Sequence, residues 1–214
     1  MGKVFAIGDI HGCLRHLREM ISRIEVNPRE DTLVFIGDYI DRGPDSKGVV
    51  DFVLDLQVSH DHVVCLMGNH ERMFLNYHVF NVDREMFLYN GGQSTIDSYG
   101  MVMRARGEMV NAPDRHMEFY RSLLSYWESD DYIFVHAGLR PRVPLERQDP
   151  EDLLWIRQEF FRSTYRFDKT VVFGHTPFAE PFVMNGRIGI DTGAVYGGKL
   201  TCLEIPDMKF HFVE

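Results

Sequence analysis

Five short apolar runs recur along the chain, and each one ends in a glycine-marked polar motif. Lys3–Ile7, Thr32–Ile36, Val63–Met67, Tyr132–Val135 and Thr170–Phe173 are too short for stable helices and read as strands. After the first run, Leu14, Leu17, Met20, Ile21 and Ile24 fall at helical spacing and predict a helix over 13–25. A second helix is expected over Lys47–Leu56. Strand and helix in alternation predict an α/β fold with a partly parallel sheet. Residues 71–128 read as helical, punctuated by Gly91-Gly92 and Gly100, and are expected to form an insertion or cap within one domain spanning 1–214. The tail carries four more strand-like runs, Phe182–Met184, Arg187–Ile190, Leu200–Ile205 and Lys209–Val213. Asn185-Gly186 and Pro206-Asp207 supply turns between them, which predicts a second, more antiparallel sheet packed on the first.

A length of 214 residues allows one domain with a sizeable core. With 44% hydrophobic residues, 26% charged residues and a mean hydropathy of −0.22, the composition is that of a soluble globular enzyme. No run approaches the roughly 18 apolar residues of a membrane span. The start, Met1 to Phe5, lacks the apolar stretch and cleavage site of a leader peptide, and Ala6 stands where a myristoylated chain has Ser or Thr. The expectation is a cytoplasmic protein with no membrane partner, its oligomeric state left open.

The net charge of −9 argues against a protein that tracks nucleic-acid phosphates, which is usually basic. It does not exclude a phosphorylated ligand, because bound cations reverse the local sign of a carboxylate-rich site. Cys13, Cys65 and Cys202 are sparse and unclustered, so they read as reduced thiols. No CxxC pair exists, and the positions that a cysteine phosphatase would fill with arginine hold Glu19, Glu71 and Met208. Phosphatase chemistry here would not use a cysteine nucleophile.

The polar motifs carry the candidate chemistry. Gly8-Asp9-Ile10-His11-Gly12 offers a carboxylate and an imidazole two residues apart, which would point the same way in an extended segment. Gly37-Asp38-Tyr39-Ile40-Asp41-Arg42-Gly43 places Asp38 at the carboxyl end of a strand, where ligand sites of α/β sheets lie, and adds the planar fork of Arg42. Gly68-Asn69-His70-Glu71 contributes a neutral oxygen donor and a candidate acid or base. His136-Ala137-Gly138 and Gly174-His175-Thr176-Pro177 each put a histidine behind a strand. One such histidine is more often structural than functional, but five motifs each following a strand make chance a poor account. Asp9, His11, Asp38, Asn69, His136 and His175 are enough donors for two metals if one carboxylate bridges, and oxygen and nitrogen donors without thiolate suit Mn, Fe or Zn. By contrast, His60 and His62 flank Asp61 in what reads as a solvated turn, and the Met101–Met109 stretch reads as core, cap or groove lining.

In combination and in this order, the sequences GDIHG, GDYIDRG, GNHE, HAGL and GHT resemble the PPP-type metallophosphatases, the serine/threonine protein phosphatase family with its bacterial members. The resemblance implies a calcineurin-like fold, a two-sheet sandwich flanked by helices with a dinuclear metal site at the strand ends. It implies that Asp9, His11 and Asp38 hold one metal and that Asp38, Asn69, His136 and His175 hold the other, manganese being the first expectation. His70 would be the general acid, oriented by Asp41. Arg42, Asn69, Arg157 and Tyr196 would meet the substrate. The implied reaction is hydrolysis of a phosphomonoester, on a phosphorylated protein or a small phosphoester, by direct attack of a metal-bridging hydroxide.

A second reading inside the resemblance is a symmetrical diadenosine tetraphosphate hydrolase, which the tail GIDTGAVYGGKLTCL also resembles. Asp41, Glu71 and Thr176 depart from the pattern of those enzymes, and the departures favour the phosphomonoesterase. A calcineurin-like nuclease would carry a further histidine where Pro177 stands.

Overall fold

The structure, a computed structural model, describes residues 2–103, 109–110 and 112–214, with side chains left undescribed from 102 to 111. In chain order, β1 (Val4–Ile7) leads into α1 (Leu14–Arg23), β2 (Thr32–Phe35) into α2 (Ser46–Ser59), and β3 (Val63–Cys65) into α3 (Asn69–Phe80). Next come α4 (Arg84–Phe87), a wide helical turn over Leu88–Gly92, and α5 (Gln93–Tyr99). The short pair β4 (Val102–Met103) and β5 (Met109–Val110) precedes α6 (Asp114–Ser122). The second half holds β6 (Tyr126–Glu128), β7 (Tyr132–Val135), α7 (Pro150–Trp155), α8 (Gln158–Phe161) and β8 (Thr170–Phe173). It closes with β9 (Phe182–Met184), β10 (Arg187–Gly189), β11 (Asp191–Thr192), β12 (Lys199–Ile205) and β13 (Lys209–Val213).

Two main sheets result. The first has the order β11-β12-β1-β2-β3 with β13 paired to β12; β1, β2 and β3 run parallel. The second has the order β6-β7-β8-β10-β9, with β7, β8 and β10 parallel. The tail therefore does not form a sheet of its own, as its spacing suggested. Its strands divide: β12 pairs antiparallel with β1, Val4 opposite Ile205, while β10 pairs with β8, Arg187 opposite Val171. The second sheet is consequently mixed rather than predominantly antiparallel. Asn185 (φ 51°) and Gly186 (φ 71°) are both left-handed, as the tight turn from β9 to β10 requires.

Strand alternation explains why the apolar runs are continuous. Side chains two apart share a face. Phe5, Ile7, Leu33 and Phe35 pack outward onto Leu17, Met20 and Val50 of the helices. Ala6, Val34 and Ile36 face inward onto Phe134, Val172 and Ile188 of the other sheet. Ile133, Val135, Val171 and Phe173 turn outward onto Leu153 and Phe160. The central strands of both sheets are covered on both faces, so both of their faces must be apolar. Each such Phe, Leu, Ile or Val buried from water contributes about 1.5–3 kcal/mol.

Between Asn69 and Ser122 the described chain is mostly helical, but its last part differs from the sequence reading: Tyr126–Glu128 is an edge strand of the second sheet. Leu66 bridges to Leu124, so the chain rejoins the sandwich where the helical segment ends. Met101 is buried; the rest of the Met101–Met109 stretch lies outside the described side chains. Among the described residues no helix is long and apolar enough to cross a membrane.

Candidate metal centre

Parallel strands bring their carboxyl ends to one edge, and the two sheets present those edges to each other. Gly8-Asp9 follows β1, Asp38 follows β2, Asn69 opens α3 behind β3, His136 follows β7 and His175 follows β8. Asp9, His11, Asp38, Asn69, His70, His136 and His175 are all buried there. His11 (φ 47°), Asp38 (φ 51°), Asp41 (φ 69°), Arg42 (φ 69°) and His175 (φ 63°) adopt left-handed backbone, which costs non-glycine residues of order 1–3 kcal/mol each and marks sites held by their surroundings. Close approach also fixes two glycines: a methyl on Gly68 would lie 2.2 Å from Asp38 Oδ1, and one on Gly174 would lie 2.1 Å from Asp9 Oδ1.

Asp38 sits between two groups of donors. In one, His11, Asp38 and His70 offer ligand atoms within 4.8 Å of one another; in the other, Asp38, His136 and His175 do so. Asp38 Oδ2 lies 3.4 Å from His11 Nε2, and Oδ1 lies 3.4 Å from His136 Nε2. Asn69 Oδ1 lies 2.9 Å from His136 Nε2 and 2.9 Å from His175 Nδ1. Donation from His11 Nδ1 to Ile40 O (2.8 Å) and from His136 Nδ1 to Ile36 O (2.9 Å) leaves the acceptor lone pair of each ring on Nε2. Asp38 Oδ1, His136 Nε2 and Asn69 Oδ1 are then acceptors facing one another, an arrangement that a cation resolves. The donor set thus fits divalent metals.

Titration behaviour agrees. Burial pushes His11 down to about 3 and lowers His136 and His175, so all three are neutral ligand-type imidazoles. Burial opposes ionisation of Asp38, but the attraction of its carboxylate to the surrounding imidazoles of His136, His70, His11 and His175 at low pH, before they lose their protons, holds its carboxyl well below the usual range. Asp9 is pushed up by burial and by the neighbouring charges of Asp191 and Asp38. Crowded carboxylates of this kind are what bound cations neutralise.

Asp9 differs from its sequence reading in detail. The segment after β1 is not extended, because the chain turns at His11, so the two side chains do not simply share one face. Asp9 accepts from the His175 N–H at 3.0 and 3.2 Å, beside the two donor groups rather than inside either one.

Around the donors, His70 Nδ1 meets Asp41 Oδ2 at 2.7 Å, and His70 Nε2 has no hydrogen-bond partner among the described residues. Arg42 donates from Nη1 to His11 Nε2 at 2.6 Å, and its guanidinium lies 5.5 Å from the ring centre of Tyr196. Tyr196 is 63% exposed and forms the rim. Arg157, also at the rim, donates from Nη1 to His175 O (3.1 Å) and Thr176 Oγ1 (3.2 Å).

Four further residues, to which the sequence reading gave no place in the site, shape it. Glu71 accepts from the N–H groups of Gly68, Asp38, Tyr39 and Ile40, which ties the Asp38 loop to α3. Thr95, from α5, donates to Asp41 Oδ1 at 2.6 Å and accepts from Asp41 N at 2.9 Å. Asp191, which burial pushes up to about 6, stands by Asp9 and Asp38. The edge of Trp155 meets His175, ring centres 5.7 Å apart. Glu71 stands in the Gly68–Glu71 motif, three residues after the helix cap, and Asp191 in the tail GIDTGAVYGGKLTCL; Thr95 and Trp155 come from segments without a motif.

Two facing sheets with paired donor groups at their strand ends are the arrangement a metal-dependent phosphoesterase needs. The chain belongs to the calcineurin-like phosphoesterase family, whose profile matches residues 2–211. It is accordingly an enzyme of phosphoester hydrolysis, in a family that works with a dinuclear divalent metal centre. Among relatives, it is 28% identical over 229 residues to the asymmetrical bis(5'-nucleosyl)-tetraphosphatase PrpE of Bacillus thuringiensis strain Al Hakam, covering 95% of this chain and 90% of that one. The crystal structure of a candidate diadenosine tetraphosphatase superimposes with a TM-score of 0.78 at 25% identity, over 99% of this chain and 93% of that one. A serine/threonine protein phosphatase of Saccharomyces cerevisiae shares the fold, with a TM-score of 0.66 at 16% identity over 95% and 72%. The named relatives that align over nearly their whole length are thus tetraphosphatases, where the sequence motifs had favoured protein phosphatases.

Proposed function

We propose that this chain cleaves dinucleoside polyphosphates, with Asp9, His11, Asp38, Asn69, His136 and His175 as ligands of two divalent cations. The observation that carries the substrate class is the similarity to asymmetrical tetraphosphatases along nearly the whole of both chains. It supersedes the order of preference drawn from Asp41, Glu71 and Thr176 alone. Asp38 is the proposed bridge, supported by its membership of both donor groups. Manganese is the first choice, and iron or zinc also suits these donors.

When bound, such a pair of cations polarises the phosphoryl oxygens and supplies a nucleophile from water at neutral pH. The chain's own residues do the rest. Arg42 offers a planar fork to phosphoryl oxygens, steadied by Tyr196. Arg157 is anchored through Nη1, which leaves its remaining N–H groups to face a phosphate. We assign proton delivery to His70, with Asp41 fixing its ring. Residues 1–214 are taken as one metallophosphatase domain and the helical part of 71–128, which ends with α6 at Ser122, as its cap; Thr95 bonds Asp41, and Gly91 O accepts from Arg42 N.

One observation favours a second reading, a serine/threonine phosphatase. A seryl or threonyl alkoxide needs a proton as it leaves, and the 2.7 Å His70–Asp41 pair is suited to deliver one. A polyphosphate leaving group needs it far less. Side-by-side turnover of diadenosine tetraphosphate and a phosphoserine/phosphothreonine peptide tests the order. The expected result is the higher kcat/KM on the dinucleotide, with ATP and AMP as products if cleavage is asymmetrical and ADP alone if it is symmetrical. Turnover of the peptide with none of the dinucleotide would reverse the two readings.

A further inference from the structure

A cavity of about 360 Å³ opens between α3 and α7, within the size range of small-molecule pockets. Arg72, Met73, Asn76, Met86, Glu151 and Trp155 line it, with Asp83 at its edge. Its position relative to the metal centre follows from helix geometry. Asn69, Arg72, Met73 and Asn76 stand at i, i+3, i+4 and i+7 of α3 and therefore form one stripe. Asn69 is the proposed metal ligand at the helix start. At 1.5 Å per residue the stripe carries the cavity about 10 Å away from it, up to Asn76. Side chains on a helix lean toward its N-terminus, so Arg72 leans toward the metals. On the opposite wall, Trp155 touches His175, another proposed ligand.

The lining has the chemistry of a nucleotide site. Among the described residues the Arg72 guanidinium has no side-chain hydrogen bond, ion pair or ring contact, so its fork is free for phosphate. Trp155 is half-buried and offers a ring for stacking, with Met73 and Met86 as adaptable apolar contacts. Glu151 is an exposed acceptor at the rim, suited to an exocyclic amino group of a purine. Asp83 is engaged by the Asn76 amide at 3.0 Å, which limits its repulsion of a phosphate.

We propose that this cavity is the subsite for the nucleoside half of the substrate beyond the scissile phosphoryl group, with Arg72 on the phosphate chain and Trp155 against the base. The inference rests on the dinucleoside polyphosphate reading of the metal centre. It explains how a chain with a protein-phosphatase-like motif set would select a nucleotide: the selection lies between the helical segment that starts at α3 and the later helix α7, outside the motifs.

The chain has two tryptophans, so Trp127→Phe makes Trp155 the sole tryptophan reporter. A methylene-bridged, non-hydrolysable analogue of diadenosine tetraphosphate is expected to quench its fluorescence saturably, whereas inorganic tripolyphosphate is not. In that background Arg72→Gln is expected to weaken the analogue about tenfold, as loss of a charge-assisted bond does. In turnover assays Arg72→Gln should raise KM for the dinucleotide far more than KM for p-nitrophenyl phosphate. Normal dinucleotide turnover with no base-dependent quenching, or equal KM changes on both substrates, overturns the subsite and leaves the proposed reaction standing. Quenching by the analogue without dinucleotide turnover overturns the reaction and leaves a nucleotide pocket. Absence of both removes both.

Discussion

His70 and Asp41 form a buried pair, with Nδ1 of the imidazole 2.7 Å from Oδ2 of the carboxylate and both residues shut off from solvent. The carboxylate fixes the ring and leaves Nε2 turned to the side of Asp38, 3.9 Å from Oδ2. If this pair protonates the leaving group, His70→Asn costs most where the leaving group is most basic. Turnover of an alkyl phosphate should fall about 10²–10⁴-fold. Turnover of p-nitrophenyl phosphate or a dinucleoside tetraphosphate should fall much less. Equal losses on all three substrates count against the role.

Thr95 is the hidden partner of that pair. Its hydroxyl donates to Asp41 and accepts from the Asp41 N–H, and it is fully buried. Thr95→Val removes the donor and strands a carboxylate oxygen, at a cost of about 1–3 kcal/mol in stability. Turnover should fall in the wild-type background and hardly at all when Asp41→Asn is already present, because the two act through one ring. Thr95→Ser should restore both properties. Additive losses in the double variant would mean that Thr95 acts elsewhere.

Much of this site could be read from the chain and some of it could not, for physical reasons. Asp38, Asn69 and His175 were legible because each follows an apolar run and stands directly after a glycine that close approach requires, and His136 because it follows an apolar run two residues before Gly138. The direction of Asp9 was not, since the alternation of an extended strand stops at Ile7 and His11 turns left-handed. Thr95 lies 54 residues from Asp41 in a helix with no motif, and only the packing of α5 on α2 brings them together. The division of the tail between two sheets was hidden for a similar reason: each strand shows where its apolar face is, but not which neighbour completes it. The Arg72–Trp155 cavity joins two helices about 80 residues apart by number, so no window of sequence contains it.

Metal content follows from the place of Asp38 in both donor groups. Asp38→Asn should lose most bound metal, measured by elemental mass spectrometry, together with nearly all activity. Chelation should abolish activity in the unaltered chain, and Mn²⁺ should restore it at least as well as Fe²⁺ or Zn²⁺. Two ions still bound per Asp38→Asn chain would sink the bridge.

Acid stability is expected to depend on Glu204, far from the metals. Its carboxylate takes a hydrogen bond from Lys3 Nζ at 2.5 Å and lies 2.7 Å from His211 Nε2, joining β12 to the start of β1 and to β13. These bonds, with Lys3 the larger cause, lower its pKa to about 2 from an ordinary 4.5. A carboxylate depressed by folding binds its proton more weakly in the folded chain than in the unfolded one. Its contribution is therefore complete above pH 4.5 and disappears as pH falls from there to about 2. Glu204 is 6% exposed but the Lys3 side chain is 44% exposed, so screening reduces the contribution to about 1–2 kcal/mol. Urea unfolding should thus place Glu204→Gln below the unaltered chain at pH 7 by about that amount. The gap should close as the pH approaches 2, because the unaltered chain loses the same bonds when Glu204 is protonated. A gap that persists unchanged at pH 2 would assign the loss to packing of the side chain rather than to its charge.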